Sequence, residues 1–349
     1  MQMQKIKTAL LSYGMSGKVF HAPFLELHPG FELLGSWERS KKLIQEDFPN
    51  VISYPSLESI LEDESVDLVI VNTPIDSHFE YAKKVLLAGK HAIVEKAFTA
   101  NVAEAEELAY LAKEKGLKLA VFQNRRWDSD LKTVKKILDE KALGEIVEAE
   151  FHFDRYNPVL SPKVHKETVN SGSGIVKDLG PHLIDQALYL FGLPNAVSAD
   201  IRITREHSLV NDYMDLLLYY PDFRVRLKAG YFVRESNPSY VVHGKKGSFL
   251  KSRGDVQEDE LKLGKKPNLK TWGTEQEGNE GLLHTEINGK VIKDKVLTLQ
   301  GNYYDYFDGV YQSIINNLPE PVTAQDGVNV MRIIESAFQS SQEKKVIDL

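Results

Sequence analysis

Asp67-Leu68-Val69-Ile70-Val71-Asn72-Thr73-Pro74 decides the fold of this 349-residue chain. Its apolar centre has no polar face, so it suits a strand buried on both sides, as in a parallel sheet. Working outward, similar short runs recur at Thr8-Ala9-Leu10-Leu11, Phe31 to Trp37, Val51-Ile52-Ser53, His91 to Glu95 and Leu117 to Val121. Amphipathic stretches near 40–47, 56–63, 77–88 and 101–116 separate them and read as helices. Such alternation predicts right-handed crossovers and a doubly wound parallel sheet. Gly89 and Gly116 fall just past two of the helices, where a C-terminal cap wants a residue tolerant of positive φ.

After Asn124 the pattern changes. A helix near 129–139, an alternating strand over 146–153, a polar loop over 157–174 and a helix over 181–191 come first. Strand patterns follow at 196–204, 212–219, 223–232, 238–243 and 247–251. Successive strands with few helices between them predict an antiparallel or mixed sheet in a second domain. Residues 253–280 read as a long polar excursion, and helices near 302–317 and 325–343 end the chain. The expected division is a dinucleotide-binding domain over 1–123 and an α+β domain over 124–349, with the last helix packing back on the first domain.

Composition narrows the function classes. Hydrophobic residues make up 42% and charged residues 27%, ordinary values for a globular protein. A formal charge of −7 argues against a phosphate-backbone binder. No apolar run reaches the ~18 residues of a membrane span, and the N-terminus lacks a signal peptide's apolar region. With no cysteine, disulfides, thiolate metal sites and cysteine nucleophiles drop out. The expectation is a cytoplasmic protein acting on a small molecule, without nucleic acid, membrane or metal.

The chemistry is expected beyond the carboxyl ends of the first-domain strands, where open α/β sheets bind ligands. Ser12-Tyr13-Gly14-Met15-Ser16-Gly17 follows the first strand and resembles a dinucleotide turn, with Ser12 at the first glycine position. Ser12, Gly14, Met15, Ser16 and Gly17 are therefore candidate cofactor contacts. At the end of the second strand, Glu38 could accept from the ribose hydroxyl of NAD. Arg39 and Ser40, with Lys41 or Lys42 behind them, offer a pocket for the 2′-phosphate of NADP. A solvated helix start capped by Ser40 is the plainer reading of that segment. NADP is favoured, with NAD also open.

Asn72, Thr73, Pro74 and His78 are further cofactor candidates, His78 alternatively being a buried helix histidine. Glu95 and Lys96 end a buried strand, where a charged pair points at a ligand, although on position alone an ordinary strand ending in solvated charges is the plainer reading. In the second domain, Asp178 and His182 are four apart and would share a helical face, although Asp178 as an N-cap and His182 as a core histidine is the plainer reading of the segment alone. Asp185 could continue it. Pro181 would break a helix through Lys177, so Asp178 is expected in an irregular turn before a helix starting near Gly180.

Taken in order, Tyr13 to Pro23, Asn72-Thr73-Pro74 with His78, Gly89 to Lys96, Asn124-Arg125-Arg126-Trp127-Asp128 and Lys177 to His182 resemble the Gfo/Idh/MocA family of NAD(P)-dependent oxidoreductases over essentially the whole chain. The Phe20-His21-Ala22-Pro23 and Asn124 to Asp128 segments are most similar to the branch with NADP-dependent scyllo-inositol dehydrogenases. The resemblance implies a Rossmann domain joined to a domain with a large open sheet, and a nicotinamide in the crevice between them. It places catalytic roles on Lys96, Asp178 and His182 and adds Asn124, Arg125 and Trp127 to the cofactor set. Lys96, Asp178 and His182, with Tyr156 and His165 from the polar loop, are the expected substrate contacts. The implied reaction is hydride transfer between NADP and a secondary alcohol of a cyclic polyol or sugar, in a homodimer or homotetramer.

Two readings compete with that reaction. One is an NAD-retaining glycosidase of the same fold, against which the Arg39 pocket speaks. The other is a non-enzymatic nucleotide sensor, which would not need the proton-handling set. Two departures from the family pattern are Ser12 and Ala97. Ala97 stands where a proline usually follows the Glu-Lys pair, and it is expected to loosen the loop carrying Lys96.

Overall fold

The computed structural model describes residues 3–38, 41–162 and 164–349, without the side chains of Val164 and His165. The chain forms two compact units. The first comprises 1–124 with the returning segments 257–272 and 302–328, and the second comprises 125–256, 273–301 and 329–349.

The first unit is built on six strands: β1 (Ile6–Leu10), β2 (Phe31–Trp37), β3 (Ile52–Tyr54), β4 (Leu68–Val71), β5 (His91–Glu95) and β6 (Leu119–Phe122). Their order is β3-β2-β1-β4-β5-β6, with every pairing parallel. All four residues of β4 are fully buried. Each such aliphatic side chain contributes about 1.5–3 kcal/mol relative to an exposed one. The order reverses between β1 and β4, which makes the carboxyl ends of these two strands the switch point where this fold places its ligand.

Local signals set the helix ends. Ser56 and Ser59 form a reciprocal capping box on the helix Leu57–Glu62. Asn101 accepts from Glu104 N at 3.0 Å at the start of Val102–Lys115, and Gly116 ends that helix at φ 65°. The returning segments close the unit. Val121 N donates to Val322 O at 3.1 Å beside β6. Tyr303, Tyr306 and Phe307 enter an aromatic core with Phe24, Phe31 and Phe122, in which Phe24 and Phe307 stack at 5.7 Å.

The second unit carries β7 (Ile146–His152), β8 (Ala196–Arg202), β9 (Tyr213–Tyr219), β10 (Arg224–Gly230), β11 (Tyr240–Gly244), β12 (Gly247–Lys251), β13 (Gly281–Ile287), β14 (Lys290–Val296) and β15 (Ile347–Asp348). They make one sheet in the order β14-β13-β12-β11-β7-β10-β9-β8-β15, antiparallel except for β10 with β7. One face buries Ala149, Phe151, Met214, Leu216, Leu218, Val225 and Leu227. The alternate positions, among them Asp215, Leu217, Tyr219, Arg224 and Arg226, stay partly exposed. Past the two residues of β15, the free edge of β8 is covered when Ala199 N and Ile201 N donate to Ser340 and Ser341 at 2.9 Å.

Residues 253–280 are not simply a polar loop. They include the helix Gln257–Lys262, and buried Trp272 donates to Gln257 Oε1 at 3.1 Å inside the first unit. The hairpin β13–β14 was not expected from the sequence either. Its outer strand, Lys290-Val291-Ile292-Lys293-Asp294-Lys295-Val296, is largely exposed, so no strong apolar alternation marks it. Two of the expected second-domain segments therefore belong to the first compact unit.

Candidate active site

At the switch point of the first sheet lies a cavity of about 440 Å³. Its wall comes from three strand ends: Leu11 to Gly14 after β1, Trp37, Glu38, Lys41 and Leu43 after β2, and Thr73, Pro74, Asp76, Ser77 and Tyr81 after β4. The size is ordinary for a small-molecule site. The lining mixes aromatic rings and hydroxyls with one lysine and the carboxylates of Glu38 and Asp76. Trp37 and Tyr81, which the sequence reading did not single out, meet edge to face at 5.8 Å.

The turn after β1 is fixed from below. Asn72 Oδ1 accepts from Ser12 N at 3.0 Å, and its Nδ2 donates to Ser12 O at 2.7 Å. Asn72 thus holds the turn through its backbone. Ser12 Oγ accepts from Gly14 N at 3.2 Å, so the hydroxyl that replaces a glycine hydrogen-bonds within its own turn. Gly17 has no room for a side chain, because a Cβ there would lie 2.3 Å from Ser12 O. Met15 is exposed beside the cavity. Tyr13 donates to Asp47 at 2.8 Å, and Lys18 pairs with the same carboxylate oxygen at 2.7 Å.

Two cofactor expectations change on the geometry. Glu38 borders the cavity, but its oxygens accept from Leu43 N at 3.0 Å and Ile44 N at 3.1 Å. Its carboxylate is committed to the next helix start, a capping role that competes with a ribose hydroxyl. His78 is fully buried, with Nε2 2.8 Å from Thr73 O and Nδ1 3.0 Å from Ala97 O. Burial holds its pKa below the ordinary histidine value. The ring presents no surface to a ligand and sits between the turn after β4 and the loop after Lys96, where a neutral imidazole donates to only one of the two carbonyls. Ala97 is fully buried, with its carbonyl 3.0 Å from His78 Nδ1. Arg39 and Ser40 lie outside the described residues, as does the side chain of His165.

Glu95 ends β5, with Lys96 directly after it and a cis peptide between Lys96 and Ala97. Glu95 Oε1 accepts from Ser16 Oγ and lies 2.9 Å from His21 Nε2. Burial alone would raise its pKa, but the His21 and Ser16 hydrogen bonds outweigh that and hold it below the usual glutamate range. Glu95 is therefore ionised beside the lysine.

In the second unit the chain opens with a 3-10 turn, Asn124–Trp127, whose first residue still belongs to the first unit. Arg125 reaches Asp128 at 3.2 Å and lies 5.1 Å from the Phe153 ring centroid. Arg126 grips Asp185 through two bonds of 2.8 and 2.7 Å, both side chains being buried. Asp185 is accordingly a structural anion and does not extend the candidate catalytic face.

Asp178 closes the short helix Ile175–Asp178, and His182 lies in the first turn of Gly180–Phe191, which has Pro181 near its start. The interrupted form matches the clash predicted for Pro181. Asn211 places the first helix: its O accepts from Ile175 N at 2.8 Å and its Oδ1 from Val176 N at 3.0 Å. His182 is largely buried, whereas Asp178 is half-buried and 4.0 Å from Lys166 Nζ. The loop bearing Lys166 is clamped by Arg205, which donates to both oxygens of Glu167 at 3.1 and 3.0 Å and to Asp212 at 2.9 Å. Nothing in the sequence pattern flagged Arg205, since an ion pair 38 residues apart leaves no local periodicity. Tyr156 is half exposed, with the Arg234 guanidinium 3.9 Å from its ring centroid.

Among the described residues, no helix is long and apolar enough to cross a membrane. Family models match both parts of the chain: "Oxidoreductase family, NAD-binding Rossmann fold" over residues 6–123, and "Oxidoreductase family, C-terminal alpha/beta domain" over residues 135–349. A scyllo-inositol 2-dehydrogenase (NADP(+)) of Bacillus subtilis is 38% identical over 349 residues, spanning 100% of this chain and 97% of that protein. An uncharacterised oxidoreductase of Escherichia coli is 37% identical, over 99% of each chain. The crystal structure of a Bacteroides fragilis protein superposes with a TM-score of 0.91 at 44% identity, covering 99% of this chain and 100% of that one.

Proposed function

Because the chain belongs to the Gfo/Idh/MocA family of oxidoreductases, we propose that it transfers a hydride between NADP(H) and a secondary alcohol or ketone of a cyclic polyol or sugar. The observation that carries the NADP choice is the arrangement at the end of β2. Lys41 borders the cavity while each oxygen of Glu38 already accepts a backbone amide, so this wall offers a cation beside an acceptor shared with the helix start. The full-length similarity to an NADP-dependent inositol dehydrogenase supports the polyol class.

The cavity fits the nucleotide end of a dinucleotide. Ser12, Gly14, Trp37 and Tyr81 line it, and Gly17 keeps the turn tight. The bound cofactor supplies the hydride chemistry, and the protein supplies position and charge. Oxidation of an alcohol requires its hydroxyl proton to leave, which needs a base within hydrogen-bond reach. We assign that role to His182, whose ring chemistry suits neutral pH. Asp178 orients the imidazole or receives a substrate hydroxyl. Lys96 donates a hydrogen bond to the reacting oxygen and stabilises its developing negative charge. Asn124, Arg125 and Trp127 complete the proposed cofactor contacts, with Tyr156 at the substrate.

The partly exposed face of the second sheet combines apolar Leu217 and Tyr219 with Arg226 and Asp215, paired at 3.3 Å. A symmetric contact between copies would cover it, and the reading includes a cytoplasmic homodimer or homotetramer. The test is NADPH and NADH formation by the purified full chain across inositols, hexoses and sugar acids. The reading predicts turnover on at least one polyol with NADP preferred. NADP binding without turnover on any of them would contradict it.

A further inference from the structure

His21 has no part in the roles assigned so far, yet its surroundings are specific. It ends the wide turn Gly17–His21 and is fully buried. The Phe122 ring centroid lies 4.3 Å from that of the imidazole and the Phe307 centroid 6.1 Å. Among the described residues Nδ1 is buried without a hydrogen-bond partner, and the Nε2 contact with Glu95 at 2.9 Å is the ring's polar link there. An unpaired buried ring nitrogen is costly. A leucine or phenylalanine would fill the same aromatic cage without that cost, so packing alone does not account for a histidine.

The carboxylate that His21 holds gathers two further segments. Ser16 Oγ donates to the same oxygen, and Lys96 N donates to the other at 3.3 Å. Ser16 belongs to the turn after β1, and that turn shares the cavity wall with the end of β4. One buried anion therefore connects the first helix turn, the dinucleotide turn and the backbone of Lys96.

We infer that His21 is a positioning residue: by holding Glu95 it locks the Ser16 end of the dinucleotide turn to the Lys96 backbone, so that cofactor seating and the aim of the Lys96 ammonium are set together. This rests on the NADP(H)-dependent reading above and adds to it a residue that touches neither substrate nor cofactor.

The test uses the full chain with His21→Leu, His21→Gln, Ser16→Ala and the His21→Leu/Ser16→Ala pair. NADPH affinity is read by fluorescence titration, kcat and KM on the best polyol, and melting temperature alongside. His21→Leu should lower kcat roughly 10- to 100-fold, the scale at which misplacement by about an ångström acts. His21→Gln, whose amide N–H reaches towards the same carboxylate, should recover most of that loss at a similar melting temperature. The Ser16 and His21 effects on NADPH affinity should be non-additive, as for members of one network. Equal losses in the Leu and Gln variants, or additive effects, would overturn the inference. Should His21→Leu fail to fold, unchanged kcat and NADPH affinity in Ser16→Ala would overturn it instead. Wild-type protein that binds no NADPH would refute the cofactor reading itself. NADPH binding that is equal in all variants, with unchanged kcat, would sink only the role of His21.

Discussion

Gly17→Ala is the sharpest probe of the dinucleotide turn. The added Cβ would lie 2.3 Å from Ser12 O and 3.0 Å from Asn72 Nδ2, against a shortest tolerable contact of 3.0 Å. Relief requires the Ser12 carbonyl to retreat by 3.0 − 2.3, or roughly 0.7 Å. That carbonyl is a backbone atom held by Asn72 at 2.7 Å, so the displacement stretches the bond and carries the cavity wall with it. Overpacking of this kind costs about 1–3 kcal/mol. If the strain is relieved by moving the turn, NADPH binding should weaken roughly 5- to 100-fold, at about 1.4 kcal/mol per tenfold. Fluorescence titration of NADPH reads the affinity, and a thermal melt confirms that the variant is folded. A folded Gly17→Ala protein binding NADPH within twofold of wild type would refute the reasoning.

At the end of β2, Lys41→Ala should reduce the preference for NADPH over NADH; comparing KM for both cofactors checks it. Arg126→Met removes the two-bond grip on buried Asp185 and should cost roughly 3–5 kcal/mol in chemical denaturation, with Arg126→Met/Asp185→Leu recovering a large part of it. For His152, burial would lower the pKa, but hydrogen bonds to Asp154 and Glu150 outweigh it and raise the net value above the ordinary one. A raised folded-state pKa contributes stability that is fully present below the unfolded value near ~6.5 and is lost as pH rises through the folded value. The stability gap between wild type and His152→Asn should therefore be widest on the acid side and narrow with rising pH, and a gap that widens towards alkaline pH would contradict this assignment.

The alternating apolar runs made the first sheet legible, because strands buried on both faces cannot hide their composition. The strand expected over Phe31 to Trp37 has those same ends in the structure. Pro181 marked the break before the helix Gly180–Phe191 for a local steric reason, and the structure has that break. What escaped was long-range or unpatterned. The hairpin β13–β14 is mostly exposed on its outer strand, and Gln257 to Trp272 join a unit whose main body lies far earlier in the sequence. His78 and Glu38 were recognised as notable, but their partners are backbone groups, to which residue type gives no clue. Arg205 and His21 gain their meaning only from partners 38 and 74 residues away. At the proposed site, hydrogen bonds divide the candidates named from motif position into groups that border the cavity and groups that hold those in place.

The most direct measurement is the turnover of Lys96→Ala on the polyol that wild type oxidises best, with NADPH affinity measured on the same preparation. Loss of one positioned hydrogen-bond donor to a developing oxyanion typically costs about 10²–10³-fold in kcat. The account predicts a loss of about that size in kcat with NADPH affinity within a few-fold of wild type. Undiminished turnover in the folded, NADPH-binding variant would contradict it.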